Sequence, residues 1–225
     1  MPSGSESWGH GGAASRRRAW RDVAVAALAV ALLALLFNVT LPAEINGELQ
    51  GYSFVRKTVS KLLSSGTVWA GLSVYAGWRL RRPVQSMVAG VLAAQGSLLA
   101  HYLLGMALGM YGPHILEENY NWFVAGVILC APLGWCGYLA SRPGRLGLAA
   151  RLLVPLGAVL EPFVTRKFVP APLPIPWPEA LSNVVSGVLL LVLGAALGVV
   201  VLRRGRKGFT VPHPGREGGR APVPT

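Results

Sequence analysis

Charge is scarce in this sequence, and negative charge scarcest of all: nine Asp and Glu stand against 21 Lys and Arg in 225 residues, and charged residues of both signs make up 13%. A water-soluble domain carries about 25% charged residues, so a chain whose main solvent is water is excluded. Cysteine is limited to Cys130 and Cys136. Six residues apart on one helix, they lie about 9 Å apart along the axis, too far for a disulfide, and both read as apolar packing. The sequence also lacks His-Glu-x-x-His, a P-loop and Gly-x-Gly-x-x-Gly. Gly71-Leu72-Ser73-Val74-Tyr75 starts like a nucleophile elbow but has Tyr where the second Gly belongs. No catalytic residue, cofactor or metal site is therefore expected.

What is abundant is apolar. Hydrophobic residues make up 52% and the mean hydropathy is +0.48. About 20 apolar residues cross roughly 30 Å of hydrocarbon, and six runs approach that length: Val23–Leu41, Leu62–Trp78, 84–110, Trp122–Ala140, Leu146–Val164 and Ala180–Leu202. They predict an all-α polytopic bundle of about six transmembrane helices at 23–202. Residues 1–22 read as a disordered tail ending in a basic anchor, and 203–225 as a basic disordered tail. The first run exceeds a signal-peptide core and lacks a small-x-small cleavage site, so it reads as a retained anchor. Arg151, Pro155, Glu161 and Pro162 make the fifth run the weakest, and a re-entrant fifth helix is the alternative.

The net charge of +12 does not indicate nucleic acid, because the basic residues flank apolar runs and form no patch with readers between them. Their placement is an orientation signal and an attraction to anionic lipid head groups. Segments before the first run, between the second and third, between the fourth and fifth, and after the sixth hold 16 of the 21 Lys and Arg. This positive-inside bias predicts a plasma-membrane protein with both termini in the cytoplasm. The second and third runs also resemble the fourth and fifth. Trp69-Ala70-Gly71, Gly77-Trp78 and Arg82-Pro83 align with Val124-Ala125-Gly126, Gly134-Trp135 and Arg142-Pro143, as in a parallel internal repeat.

Ionisable groups inside a bilayer are functional candidates by default. Two lie away from the flanks: His101 and Glu161, each 18 residues after its Arg-Pro, or about 27 Å along a helix. Both should sit toward the outer leaflet, either as a pair facing a wet cavity or as separate interfacial groups. Gln95, near the middle of the third run, completes the candidate intramembrane site. Glu117, Glu118, Asn119 and Asn121 would form an acidic vestibule on the same side. Gly105-x-x-x-Gly109 and Gly194-x-x-x-Gly198 permit close helix approach, within the bundle, in a homo-oligomer or with a partner membrane subunit.

The stretch Ser65-Gly66-Thr67-Val68-Trp69-Ala70-Gly71, with Gly77-Trp78, Arg82-Pro83, His101-Tyr102, Asn121-Trp122-Phe123 and Pro132-Leu133-Gly134, resembles small actinobacterial multi-pass membrane proteins of unknown function. The resemblance covers roughly residues 62–165 and implies a membrane bundle without an assigned activity. The expected function is non-enzymatic, either permease-like for a small solute or ion, or an accessory membrane component. The alternative is a membrane-embedded enzyme acting at the outer leaflet through His101.

Overall fold

The computed structural model describes residues 10–170 and 174–207. Among them are nine helices and no strand: α1 (His10–Leu36), α2 (Pro42–Ile45), α3 (Gln50–Leu63), α4 (Gly66–Leu80), α5 (Pro83–Ala107), α6 (Ile115–Glu118), α7 (Tyr120–Ala140), α8 (Arg145–Val164) and α9 (Trp177–Lys207). Five of them, α1, α5, α7, α8 and α9, are long and apolar enough to cross a membrane. The chain is an all-α polytopic membrane bundle.

The boundaries differ from the sequence reading in instructive ways. α1 begins at His10, so 10–22 is helical where a tail was expected, because Ala and Arg are strong helix formers that continue a helix out of the apolar zone. α9 likewise runs through Lys207, past the expected boundary at 202. The tails expected at 1–9 and 208–225 lie outside the described residues. α5 stops at Ala107, short of the expected 110. There the Met110 N–H reaches back to the Gly105 carbonyl at 2.8 Å, and Gly109 takes φ +68°, the left-handed turn that glycine allows at a helix end. Gly109 is thus a cap and no part of a helix-contact motif.

The expected second span is broken, whereas the fifth, expected as the weakest of the six, is whole. Leu63 ends α3, and Ser65 caps α4 by accepting the Val68 N–H at 3.3 Å. That leaves α4 with 15 residues, about 22 Å, less than the roughly 30 Å of hydrocarbon. α8 runs unbroken for 20 residues through Pro155 and Pro162. Both prolines are buried, and Arg151 caps the neighbouring helix, its Nε donating to the Ala140 carbonyl at 2.7 Å and its Nη2 to that of Arg142 at 3.0 Å.

Contacts fix the helix directions. Asp22, midway along α1 and before its apolar half, pairs with Arg79 at the end of α4, whereas Leu35 near the end of α1 faces Gly105 near the end of α5. α1 is therefore parallel to α5, and both are antiparallel to α4. Gly194 of α9 lies against Ala158 and Pro155, and Gly205 against Leu148, so α9 is antiparallel to α8. α1 begins and α9 ends at the same pole of the bundle, here the terminal pole. The segments 37–65, 108–119, 165–170 and 174–176 lie at the other, the loop pole.

Small residues weld α4, α5 and α7 together toward the terminal pole. A Cβ on Gly77 would strike the Gly134 carbonyl, one on Gly134 the Ser86 carbonyl, and one on Gly137 the Val74 carbonyl. Glycine permits this backbone approach, the usual basis of helix association where lipid is as apolar as the side chains. Two buried hydroxyls complete the seam. Ser86 Oγ donates to the Gly77 carbonyl at 2.9 Å and Ser73 Oγ to that of Gly90 at 3.3 Å. Gly77 and Gly134, aligned in the internal similarity, thus meet face to face.

At the loop pole, α3 turns its charges inward. Arg56, 6% exposed, donates through Nε to both oxygens of the 2% exposed Glu44 carboxylate, at 3.0 and 2.9 Å, and through Nη1 to the Phe37 carbonyl at 3.1 Å. Lys61 donates to Glu179 Oε1 at 2.5 Å, Asn183 Oδ1 at 2.6 Å and Ser182 Oγ at 2.7 Å, and Lys57 to Glu179 Oε2 at 2.6 Å. α3 is thereby fastened to the first turns of α9, while its Tyr52 and Val55 face outward.

Candidate functional site

Where the small-residue seam ends, the helices part, and a cavity of about 950 Å³ occupies the half of the bundle nearer the loop pole. α1, α4, α5, α7 and α8 all line it. The volume lies within the ~300–1,000 Å³ common for ligand sites, which are apolar with a few placed polar groups. Its inner part is walled by Ala70, Cys130, Leu133 and Val154. Cys130 is buried and both cysteines are free.

His101, Glu161 and Gln95 all line this one cavity, but each is held by a different partner. Gln95 Nε2 donates to the Phe123 carbonyl of α7 at 2.8 Å. Gly126 leaves the room, since a Cβ there would strike the amide. His101 Nε2 lies 2.9 Å from Tyr111 Oη, which also accepts from Asn38 Nδ2 at 2.8 Å. Which of the two donates in this bond follows from the imidazole tautomer. Nδ1 is buried and has no hydrogen-bond partner among the described residues. Tyr102 and Tyr111 flank the imidazole with ring centroids 5.3 and 5.6 Å away, and Phe123 packs on Tyr102 at 6.1 Å.

Glu161 is a helix cap. Its Oε1 accepts the Gly66 N–H at 3.0 Å, and its Oε2 accepts the Thr67 N–H at 2.8 Å and the Thr67 hydroxyl at 2.6 Å. These are unpaired first-turn donors of α4, where the partial positive charge of a helix gathers. A helix that starts inside the protein needs such a partner, and α8 supplies it. His101 and Glu161 share the cavity but no ion pair or hydrogen-bond partner among the described residues.

The vestibule residues behave differently. Asn119 lines the cavity, whereas Glu117 and Glu118 are exposed, Glu117 lying 3.5 Å from His114 in an exposed pair. Sequence reasoning missed the lysines. Beyond the Lys57, Lys61 and Glu179 cluster, Lys167 is half-buried with Nζ 3.4 Å from Ser186 Oγ. Burial pushes its ammonium below the ordinary lysine range; Glu161 opposes that shift and Lys61 reinforces it. Lys57 and Lys61 stand 122 and 118 positions from Glu179, so no local pattern announces that cluster.

Comparison with known proteins finds no matching family model, no similar curated protein and no similar solved structure.

Proposed function

We propose that this chain is a non-enzymatic, permease-like membrane protein that binds a small solute in the cavity between α4, α5, α7 and α8. The observation that carries the reading is the convergence of His101, Gln95 and Glu161 on one cavity of ligand size, closed toward the terminal pole by the glycine seam. α4, though short, joins the two poles, so six passes leave both chain ends on one side. The excess of Lys and Arg in the segments at that pole supports a reading in which it faces the cytoplasm and the cavity lies in the outer half of a cell membrane. Arginines such as Arg16, Arg17 and Arg21 would meet anionic head groups there. The enzymatic alternative draws less support. A general base needs a free acceptor, and both Glu161 oxygens are occupied by α4 while His101 Nε2 is engaged by Tyr111.

The test is a thermal-shift screen of the purified full chain against ions, metals, lipids and small organic solutes. A ligand at 100 times its Kd stabilises the native state by about 2.7 kcal/mol, a rise of roughly 5–10 °C for a chain of this size. The control is Gly157→Phe: Gly157 lines the cavity, and a Cβ there meets nothing within 4 Å, so the ring fills the cavity without a backbone clash. Loss of the shift in this variant supports the reading. A shift that survives it, or no shift with any probe, refutes it.

A further inference from the structure

The cavity is closed toward the terminal pole but open on one flank. α7 and α8 form a hairpin that touches near its turn, where a Cβ on Gly147 would strike the Arg142 carbonyl and Arg151 caps α7. Farther from the turn the two helices diverge with the cavity between them. Leu129 of α7 and Leu160 of α8 both line it, yet each is 58% exposed, and Leu153 is exposed beside them. A side chain that walls a central cavity and also faces outward marks the edge of an opening. Leu129 lies near the middle of the 21-residue α7, at hydrocarbon depth. The flank opening therefore faces lipid tails.

The lining is graded along the same axis. Asn38, Thr67, His101, Tyr111, Asn119 and Glu161 gather toward the loop pole, and the deeper wall is apolar. A polar end at the interface with an apolar body below it is the posture of an amphiphile in one leaflet. Charge narrows the class further. Among the described residues, Glu161 is the one carboxylate of the lining, which includes no Lys or Arg. A phosphate here would face that carboxylate with no cation in the lining, a costly arrangement at low dielectric; Lys167, outside the lining, already interacts with Glu161. The volume suits one drug-sized molecule, too little for a two-chain phospholipid.

We infer that the cavity takes a single-chain amphiphile with an uncharged or cationic head, which enters sideways from the bilayer between α7 and α8. This rests on the solute-binding reading above and names its ligand class. The experiment compares hexadecanol, hexadecylamine and hexadecyl phosphate, with glucose as a water-soluble probe, on the full chain in detergent. The readouts are thermal shift and retention in native mass spectrometry. Hexadecanol and hexadecylamine should bind at least tenfold more tightly than hexadecyl phosphate, and Gly157→Phe should weaken them at least tenfold. Gly96→Phe is the control for adsorption to the outer surface. Gly96 also has open space for a side chain and lines a separate shallow groove between α1 and α5. It should leave binding unchanged, while Leu129→Trp with Leu160→Trp should slow uptake. Equal or tighter binding of the phosphate, or equal loss in Gly96→Phe and Gly157→Phe, overturns the inference. Stabilisation by glucose alone, abolished by Gly157→Phe, overturns the amphiphile class but leaves the solute-binding reading standing. Indifference of Gly157→Phe to every probe removes both.

Discussion

A single methyl group should have opposite effects at two glycines of this bundle. At Gly134 an added Cβ would collide with the Ser86 carbonyl and press on the Met87 backbone. Neither is a flexible side chain that can swing away, so α5 and α7 must separate. Overpacking of this kind costs about 1–3 kcal/mol, against a helix-propensity gain of up to about 1 kcal/mol for Gly→Ala. Separation also strains the Ser86 bond to the Gly77 carbonyl, worth about 1 kcal/mol. Gly134→Ala should therefore destabilise by about 1–3 kcal/mol, lowering the Tm by roughly 2–12 °C at about 2–4 °C per kcal/mol. At Gly157 the same methyl meets nothing within 4 Å, so only the propensity and chain-entropy gain of about 0.4–1 kcal/mol remains, and Gly157→Ala should raise the Tm. Thermal unfolding of the two variants in one detergent, followed by intrinsic fluorescence, reads both signs. A Gly134→Ala protein as stable as the parent would refute the argument that backbone contact at the seam holds these helices.

Glu161→Gln should cost about 1–2 kcal/mol, because a neutral amide replaces the charged cap of α4. Combined with His101→Ala, the effects should add within about 0.5 kcal/mol, since the two side chains share no hydrogen-bond partner; urea or thermal unfolding of the double-mutant cycle measures this. Lys61→Ala should destabilise more than Lys57→Ala, because Lys61 bonds Ser182 and Asn183 as well as Glu179. The check is whether protease cleavage between α2 and α4 accelerates more in the first variant. Glu44 gives a pH dependence. Burial would raise its pKa, but the Leu41 N–H, the Arg56 guanidinium and Ser53 outweigh that and hold it below the ordinary value of 4.5. A depressed folded pKa means stabilisation that is present above the unfolded pKa and lost as pH falls through the folded one. Tm against pH should therefore drop on acidification below about 4.5 in the parent, and the drop should be smaller in Glu44→Gln.

Hydropathy made the long helices legible because burying the backbone of an apolar run in lipid leaves helix as its main solution. It did not reveal the break at Ser64 and Ser65, since a helix start inside the bundle leaves the apolar composition unchanged. The cap signal Ser65-Gly66-Thr67-Val68 was present but read as part of a continuous run. The fifth span looked weak because Arg151 and Glu161 were counted as costs to insertion. In the fold each satisfies a helix terminus, Arg151 the end of α7 and Glu161 the start of α4. The polar stretch at 42–61 hid α3, which is amphipathic at helical spacing; that its charges turn inward is explained by Glu44 and Glu179. His101, Glu161 and Gln95 were legible as candidates because ionisable and amide groups are rare in such runs. Their separate partners, Tyr111, α4 and Phe123, depend on tertiary contacts that a single sequence does not carry.

The central claim is a cavity in the half of the bundle opposite the chain ends, which the proposed orientation puts on the outer side of the membrane with its polar end at the interface. It is tested most directly by thiol labelling. In a background with Cys130→Ala and Cys136→Ala, the single thiol of Gly157→Cys lines the cavity. A membrane-impermeant maleimide added to intact cells should label it, and the ligand class inferred above should protect it. Labelling only after lysis or in inside-out vesicles, or none in folded protein, would contradict the account.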